Sequence, residues 1–398
     1  MKRGHVRQRH TRKCPRTEEG DWAPHRCRGS WGFLVDLGRD GTGERRQITR
    51  AGFASKRAAM LALQRCLEDM QGGVDVETRA TVAEYLEEWI SSRRALRPST
   101  LKSYREHIRL YLAPLLGHIP LRDLRPRQID LMLNELARPR ARRSLSPATV
   151  RRIHSTLRVA LNDAVRRRLI SHNPTQHVEL PAERSRPATI WTAEQVATFL
   201  DSVHKDRLYA LYHVVVVTGM RRGELCALLW ADIDLDRGFL RVNRAAVELA
   251  GRVHVGPPKT RSGIRIVWLD ALTVDVLRAH RLRQHEEREN WGPAYQSQDL
   301  VFARENGTML QPEGVSRRFR AASVSAGLTV IRFHDLRHTS ASLALAAGVA
   351  MKVVSERLGH STIGITADLY THVVPAVARD AAEAIAATLG LASDGPTS

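Results

Sequence analysis

Four short segments of the chain hold residues whose types suit work on a charged substrate. VVVVTGMRRGELCALL places Arg221 just after a Thr-Gly break, where an apolar run gives way to a new helix. An arginine at such a junction can point out of the core, although pairing with Glu224 three residues on is an equally good reading. IRFHDLRHTSASLALAAGV sets His334 and Arg337 three apart in what reads as the first turn of a helix. One imidazole and one guanidinium then project from the same face; a bridge from Arg337 to Asp335 is the plainer alternative. His334 and His338 are four apart, as in zinc pairs, but Asp, Leu and Arg stand between them and the acid-bearing HExxH pattern is not met. SERLGHSTIGITADLYTHVVP puts His360 beside a glycine turn and Tyr370 ten residues later. GPPKTRSGIRIVWL holds Lys259 in a turn ahead of a strand of alternating character. A lone Tyr is commonly a packing residue and a turn Lys commonly solvated, so each segment taken singly stays ambiguous.

These residues need elements to position them, and 398 residues suffice for two or three domains. The hydrophobic fraction of 43% and charged fraction of 26% are those of a folded globular chain. Net charge is +20, and it is unevenly spread: +8 over residues 1–70, +10 over 71–186 and +2 over 187–398. Phosphate-gripping modules in the N-terminal half and a nearly neutral C-terminal module with a more specific task are the expectation. The basic N-terminus leads into no apolar stretch of signal-peptide length. The apolar run at 208–217 falls short of a membrane span. Cys14, Cys27, Cys66 and Cys226 are too few and scattered for a disulfide framework. A cytoplasmic, nucleoid-associated protein without a membrane partner is expected.

The pattern predicts a hairpin from Ser30–Asp36 and Arg45–Thr49 across DGTG. A helix follows Ser55, with Met60, Leu61, Leu63 and Leu67 as its apolar positions. Thr81 and Glu84 form a capping box for a helix with Val82, Tyr85, Leu86, Trp89 and Ile90 on one face. Further helices are predicted after Pro98, over Pro126–Leu136, and from Pro147 to about Ile170 with Val150, Ile153, Leu157, Leu161 and Ala164 inward. On the last of these Arg151, Arg152, Arg158 and Arg166–Arg168 have almost no opposing carboxylates in the sequence, which favours a phosphate-facing surface. ELPAERSRPA (179–188) reads as a linker. Thr192 and Gln195 open a new domain, with strands at Phe239–Glu248 and Gly263–Leu269 among its helices. His10, Cys14, His25 and Cys27 could suggest zinc, but a flexible basic tail fits their spacing better.

The ordered set Thr-Gly-x-Arg, hairpin Lys, His-x-Leu-Arg-His, Leu-Gly-His and downstream Tyr resembles the tyrosine recombinase family of phage-integrase type. The resemblance covers residues 75–385 and is strongest in the C-terminal part. It implies a multidomain, mainly α fold with small β elements. Its expected parts are a basic tail (1–28), a β-hairpin-plus-helix arm-type DNA-binding module (29–74), an all-helical core-type DNA-binding domain (75–178), the linker, a mixed α+β catalytic domain (189–392) and a disordered tail (393–398). Carried onto this sequence, it makes Tyr370 the nucleophile, Arg221 and Arg337 the phosphate clamp, Lys259 the general acid, and His334 and His360 the proton-handling or phosphate-positioning groups. Arg222 and Arg261 are neighbours that could take the places of Arg221 and Lys259, and Glu224 matches the acid that supports the first Arg. No metal ion or nucleotide cofactor is implied, because a phosphotyrosyl ester conserves the energy of the phosphodiester it replaces. The implied partners are double-stranded DNA attachment sites, three further copies of the chain in a homotetramer on DNA, and a directionality factor (excisionase). The DAAEAIAATLGL run near the C-terminus would dock on a neighbour or on its own domain. Related outcomes of the same motifs are a chromosome-dimer resolvase, a type IB topoisomerase-like enzyme or an inactive DNA-binding regulator.

Overall fold

The computed structural model describes residues 4–10, 14–15, 29–39, 41–76, 78–138, 145–182, 189–370, 385–386 and 388–389, with backbone alone at 365 and 368–370. The chain divides into two compact units, Met1–Arg184 and Ser185–Ser398. His25, Cys27, residues 183–188 of the expected linker, most of the expected docking run and the C-terminal tail lie outside the described residues.

In the first unit β1 (Gly4–Gln8), β2 (Trp31–Arg39) and β3 (Arg45–Phe53) form an antiparallel sheet in the order β1-β2-β3. The expectation of a flexible tail over 1–28 is corrected for its start: Gly4 pairs with Val35 and Gln8 with Trp31. His-Val-Arg-Gln alternates, so Val6 reaches the apolar side of the sheet with Phe33 and Val35 while β1 covers an otherwise open edge of β2. Helix α1 (Lys56–Gln71) starts at Ser55, whose hydroxyl accepts from the Ala58 N–H. Its buried stripe is Ala59, Leu63, Cys66, Leu67 and Met70, whereas Met60 and Leu61 are 54% and 49% exposed. At 100° per residue Met60 and Leu61 stand about 100° and 200° round the helix from Ala59, off that stripe, and the small Ala59 lets the helix sit close to the sheet.

Helices α2 (Val82–Ser91), α3 (Pro98–His107), α4 (Ala113–Leu116), α5 (Pro126–Ala137) and α6 (Pro147–Arg166) follow, with a π turn at Ile108–Leu112 joining α3 to α4. The Thr81–Glu84 capping box forms as the sequence requires, and the five apolar residues of α2 and five of α6 named above are all buried in one core. Helix α6 ends four residues early. Arg167 donates its N–H to Asp163 O, Leu169 to Ala164 O, and Arg168 takes φ +58°, a left-handed exit from the helix. The arginine surface is also partly corrected. Asp163, 9% exposed, gathers Arg93 at 2.7 Å, Arg166 at 2.7 Å and Arg167 at 2.9 Å, while Arg152 and Arg158 stay exposed.

The second unit opens with α7 (Ala193–Ser202) behind the Thr192–Gln195 capping box, then α8 (Tyr209–Thr218) and the short α9 (Arg222–Cys226). The predicted strand over 239–248 is two strands in different sheets. With β4 (Ile233–Asp234), β5 (Phe239–Val242) belongs to β4-β5-β8, and β6 (Ala245–Leu249) pairs with β7 (Arg252–Gly256), which the pattern had not revealed. After β8 (Arg265–Trp268) come α10 (Ala271–Trp291), α11 (Pro312–Ser325), α12 (Asp335–Ala346), α13 (Met351–Leu358) and α14 (Ile363–Tyr370). Trp191, Phe199, Tyr212 and Phe319 pack ring on ring at 5.1–6.1 Å in the centre of this unit. Around them, α8 is buried on nearly every side. No helix among the described residues is long and apolar enough to cross a membrane.

Candidate active site

The apolar helix α8 fixes the first arginine. It ends at Gly219, φ +63°, where a side chain would strike Leu358. Arg221 then caps α9: its backbone N–H is held by Glu224 Oε2 at 2.9 Å, and its guanidinium leaves the core 35% exposed. Nη1 donates to Glu224 Oε1 at 2.7 Å and Nη2 to the Gly359 carbonyl at 3.1 Å. Arg222 goes elsewhere, to Glu313 at 2.8 Å.

Arg337 lies in the first turn of α12, 2% exposed. Nη1 donates to Gly219 O at 2.8 Å and Nη2 to Leu358 O at 2.6 Å. The two arginines therefore bond to the carbonyls of consecutive residues, Leu358 and Gly359, where α13 ends. The acceptors cluster at helix C-termini, whose unpaired carbonyls carry partial negative charge and favour cations. Gly359, φ +68°, is required there, since a Cβ would stand 2.7 Å from the Ser262 carbonyl.

His334 is the residue before α12, and its ring meets that of His338 edge to face at 5.2 Å. Burial first, then His338, Arg337 and Arg221, push the His334 imidazole down to about 4. His360 is pushed down to about 4 as well, by burial and by the charges of Arg337 and Arg221. Both are neutral at pH 7. Both register the charges of the same two guanidinium groups, Arg221 and Arg337. His360 Nδ1 shares a 2.8 Å hydrogen bond with Thr366 Oγ1, tying the Leu-Gly-His turn to α14, the helix whose last residue is Tyr370.

Lys259 is not brought onto the arginines by a bond. It is exposed on the connection from β7 to β8, which are in different sheets, so it does not sit in a hairpin turn. Arg261 is exposed on the same connection. The residue that sequence reasoning missed is Arg265, whose Nη2 meets Glu224 Oε2 at 2.9 Å from the side opposite Arg221. Its only signal was a second arginine at the start of a strand, six residues after Lys259.

Among the described residues no group of three His, Cys, Asp or Glu side chains could hold a metal ion. A cleft of about 1090 Å³ in this unit, lined by Trp230, Asp232, Arg278 and Arg281, contains none of the six residues. A fixed pair of guanidinium groups, Arg221 partly exposed and Arg337 buried, flanked by neutral imidazoles suits a phosphodiester, whose nonbridging oxygens accept forked N–H donors.

Residues 190–376 match the phage integrase family, residues 81–137 the phage integrase N-terminal SAM-like domain, and residues 25–70 the arm DNA-binding domain. A tyrosine recombinase XerC-like protein of Caldanaerobacter subterraneus subsp. tengcongensis is 28% identical, over 88% of this chain and 94% of that protein. The Tn1549 transposon integrase, solved in complex with a circular intermediate DNA, superposes with a TM-score of 0.65 at 19% identity, over 77% of this chain and 99% of that one. The lambda integrase, solved as a tetramer bound to a Holliday junction, gives 0.53 at 21% identity, over 85% and 91%.

Proposed function

We propose, on the premise that the chain belongs to the phage integrase family of tyrosine recombinases, that it is a site-specific DNA integrase. It cuts and rejoins DNA strands and so integrates, and in the reverse direction excises, a mobile element such as a prophage. The observation that carries the reading is the convergence of Arg221 and Arg337 on the adjoining carbonyls of Gly359 and Leu358.

The chemistry follows from what such a pair does. Tyr370 Oη attacks phosphorus, the P–O5′ bond breaks, a 3′-phosphotyrosyl ester forms, and the proton lost by the phenol is balanced by one delivered to the departing 5′ oxygen. A phenol titrates near 10, so attack at neutral pH needs its proton removed and the growing phosphorane charge stabilised. Arg221 and Arg337 bond most strongly to the nonbridging oxygens as that charge grows. Of five guanidinium N–H groups, Arg221 uses two on Glu224 and Gly359, which leaves three for phosphate. Lys259 serves as general acid from its exposed connection, and His334 and His360 position the phosphate or carry protons. A bound phosphate offsets the arginine charges that depress both imidazoles, which makes them better proton acceptors in the complex than in the empty site.

Four copies acting on two duplexes complete strand exchange, with the N-terminal arm module gripping a second class of site and a directionality factor favouring excision. The test is Tyr370→Phe. The variant should bind duplexes as the wild type does and form no covalent adduct with a nicked suicide duplex, and mass spectrometry of the wild-type adduct should locate the linkage at Tyr370. An adduct at another residue, or one surviving in the variant, would overturn the assignment.

A further inference from the structure

Arg265 joins three of the chemistry-bearing segments through one side chain that is 6% exposed. Its Nε donates to Arg357 O at 2.6 Å at the end of α13, its Nη1 to Gly263 O at 3.0 Å on the connection that carries Lys259, and its Nη2 to Glu224 Oε2 at 2.9 Å. Glu224, 1% exposed, turns its other oxygen to Arg221. Gly359 leaves the room this crossing needs, since a Cβ there would lie 3.1 Å from Arg265 Cδ.

We infer that Arg265 is a positioning residue for strand cleavage: anchored on the Gly263 and Arg357 carbonyls, it fixes the carboxylate of Glu224 and through it the guanidinium of Arg221. This rests on the recombinase reading. Arg221 holds Oε1 through Nη1 and Oε2 through its own backbone N–H, so that pair can shift together; Arg265, anchored on two other segments, ties Oε2 to them and so fixes where Oε1 meets the Arg221 guanidinium. Burial works to raise the Glu224 carboxyl, and the charge and hydrogen bond of Arg265, then those of Arg221, outweigh it and hold the group below the usual carboxylate range. Only a guanidinium spans three acceptors in one plane; an ammonium would keep the charge and lose the fork.

The experiment measures single-turnover adduct formation at saturating DNA, on nicked duplexes enriched from a random-sequence pool by binding to the wild-type chain. Arg265→Gln should slow the adduct about 10- to 100-fold, the range for groups that orient a contacting residue, with Kd for the duplex changed less than about threefold. Arg265→Lys should recover at least about a tenth of the wild-type rate, and it carries the comparison if the Gln variant unfolds. Because both residues act through one carboxylate, Glu224→Gln combined with Arg265→Gln should be no slower than the slower single variant. Unchanged rates, a loss confined to Kd, or losses that multiply would overturn the inference. A wild-type chain that forms no adduct with any enriched duplex would instead overturn the recombinase reading itself.

Discussion

At the scale of single residues, the site works by fixing cations. Replacing Arg337 with Lys keeps one charge but loses the fork that holds the Gly219 and Leu358 carbonyls. We expect adduct formation to fall about 10²- to 10³-fold, the cost of losing one transition-state donor, with little change in DNA affinity; equal loss in both would show that Arg337 contributes to binding rather than to the reaction. A second prediction concerns His280, 5% exposed in α10. Its Nε2 donates to Val301 O at 2.7 Å, so Nδ1 must accept from Arg283 Nη2 at 2.7 Å. Burial is the main cause that pushes this imidazole down to about 4. The unfolded chain, titrating near 6.5, binds the proton first. Stability is therefore full above about pH 6.5 and declines as pH falls towards 4, by about 3 kcal/mol at the limit. His334 and His360 lose stability over the same window, so urea titrations should show their combined decline, and His280→Gln should make it shallower by the share of His280. Arg221 was legible in the sequence because a Thr-Gly break and a three-residue spacing to Glu224 are local signals. Arg265 was not, since its role exists only once three distant segments meet.

Elements decide where those residues stand. The capping boxes at Thr81 and Thr192 and the inward face of α6 could be read directly, because a cap and a 3.6-residue period are written within one turn or one helix. Strands were less legible. β1 pairs with a partner more than twenty residues away, and β7 is a five-residue strand of which Val253 packs against the core while Val255 stays exposed. The choice of Ala59 and Cys66 over Met60 and Leu61 as the buried face of α1 depends on how closely the sheet approaches. Turn glycines carry the sharpest test at this scale. Gly219→Ala forces a β-carbon into the left-handed region, which costs about 1–2 kcal/mol, and displaces Leu358 as well. Both the urea midpoint and the adduct rate should drop, because the same carbonyl holds Arg337; an unchanged rate in a destabilised variant would separate the turn from the chemistry.

For the molecule as a whole, charge distribution and fold divide the work between a basic N-terminal unit and a nearly neutral C-terminal one. Arg152 and Arg158 are two residues of the arginine-rich face that lie exposed on α6 and that Asp163 does not claim. Replacing both with Gln should reduce the slope of log K against log salt by about 2 for binding to a duplex, two phosphate contacts at about 0.9 each. A slope that does not move would place the phosphate path on another face. The acceptors of Arg337 described above are peptide carbonyls, which orient a cation without cancelling it. On the recombinase reading that uncancelled charge is kept for the scissile phosphate, and the counterions a duplex sheds on being seated add entropy to the driving force for its capture.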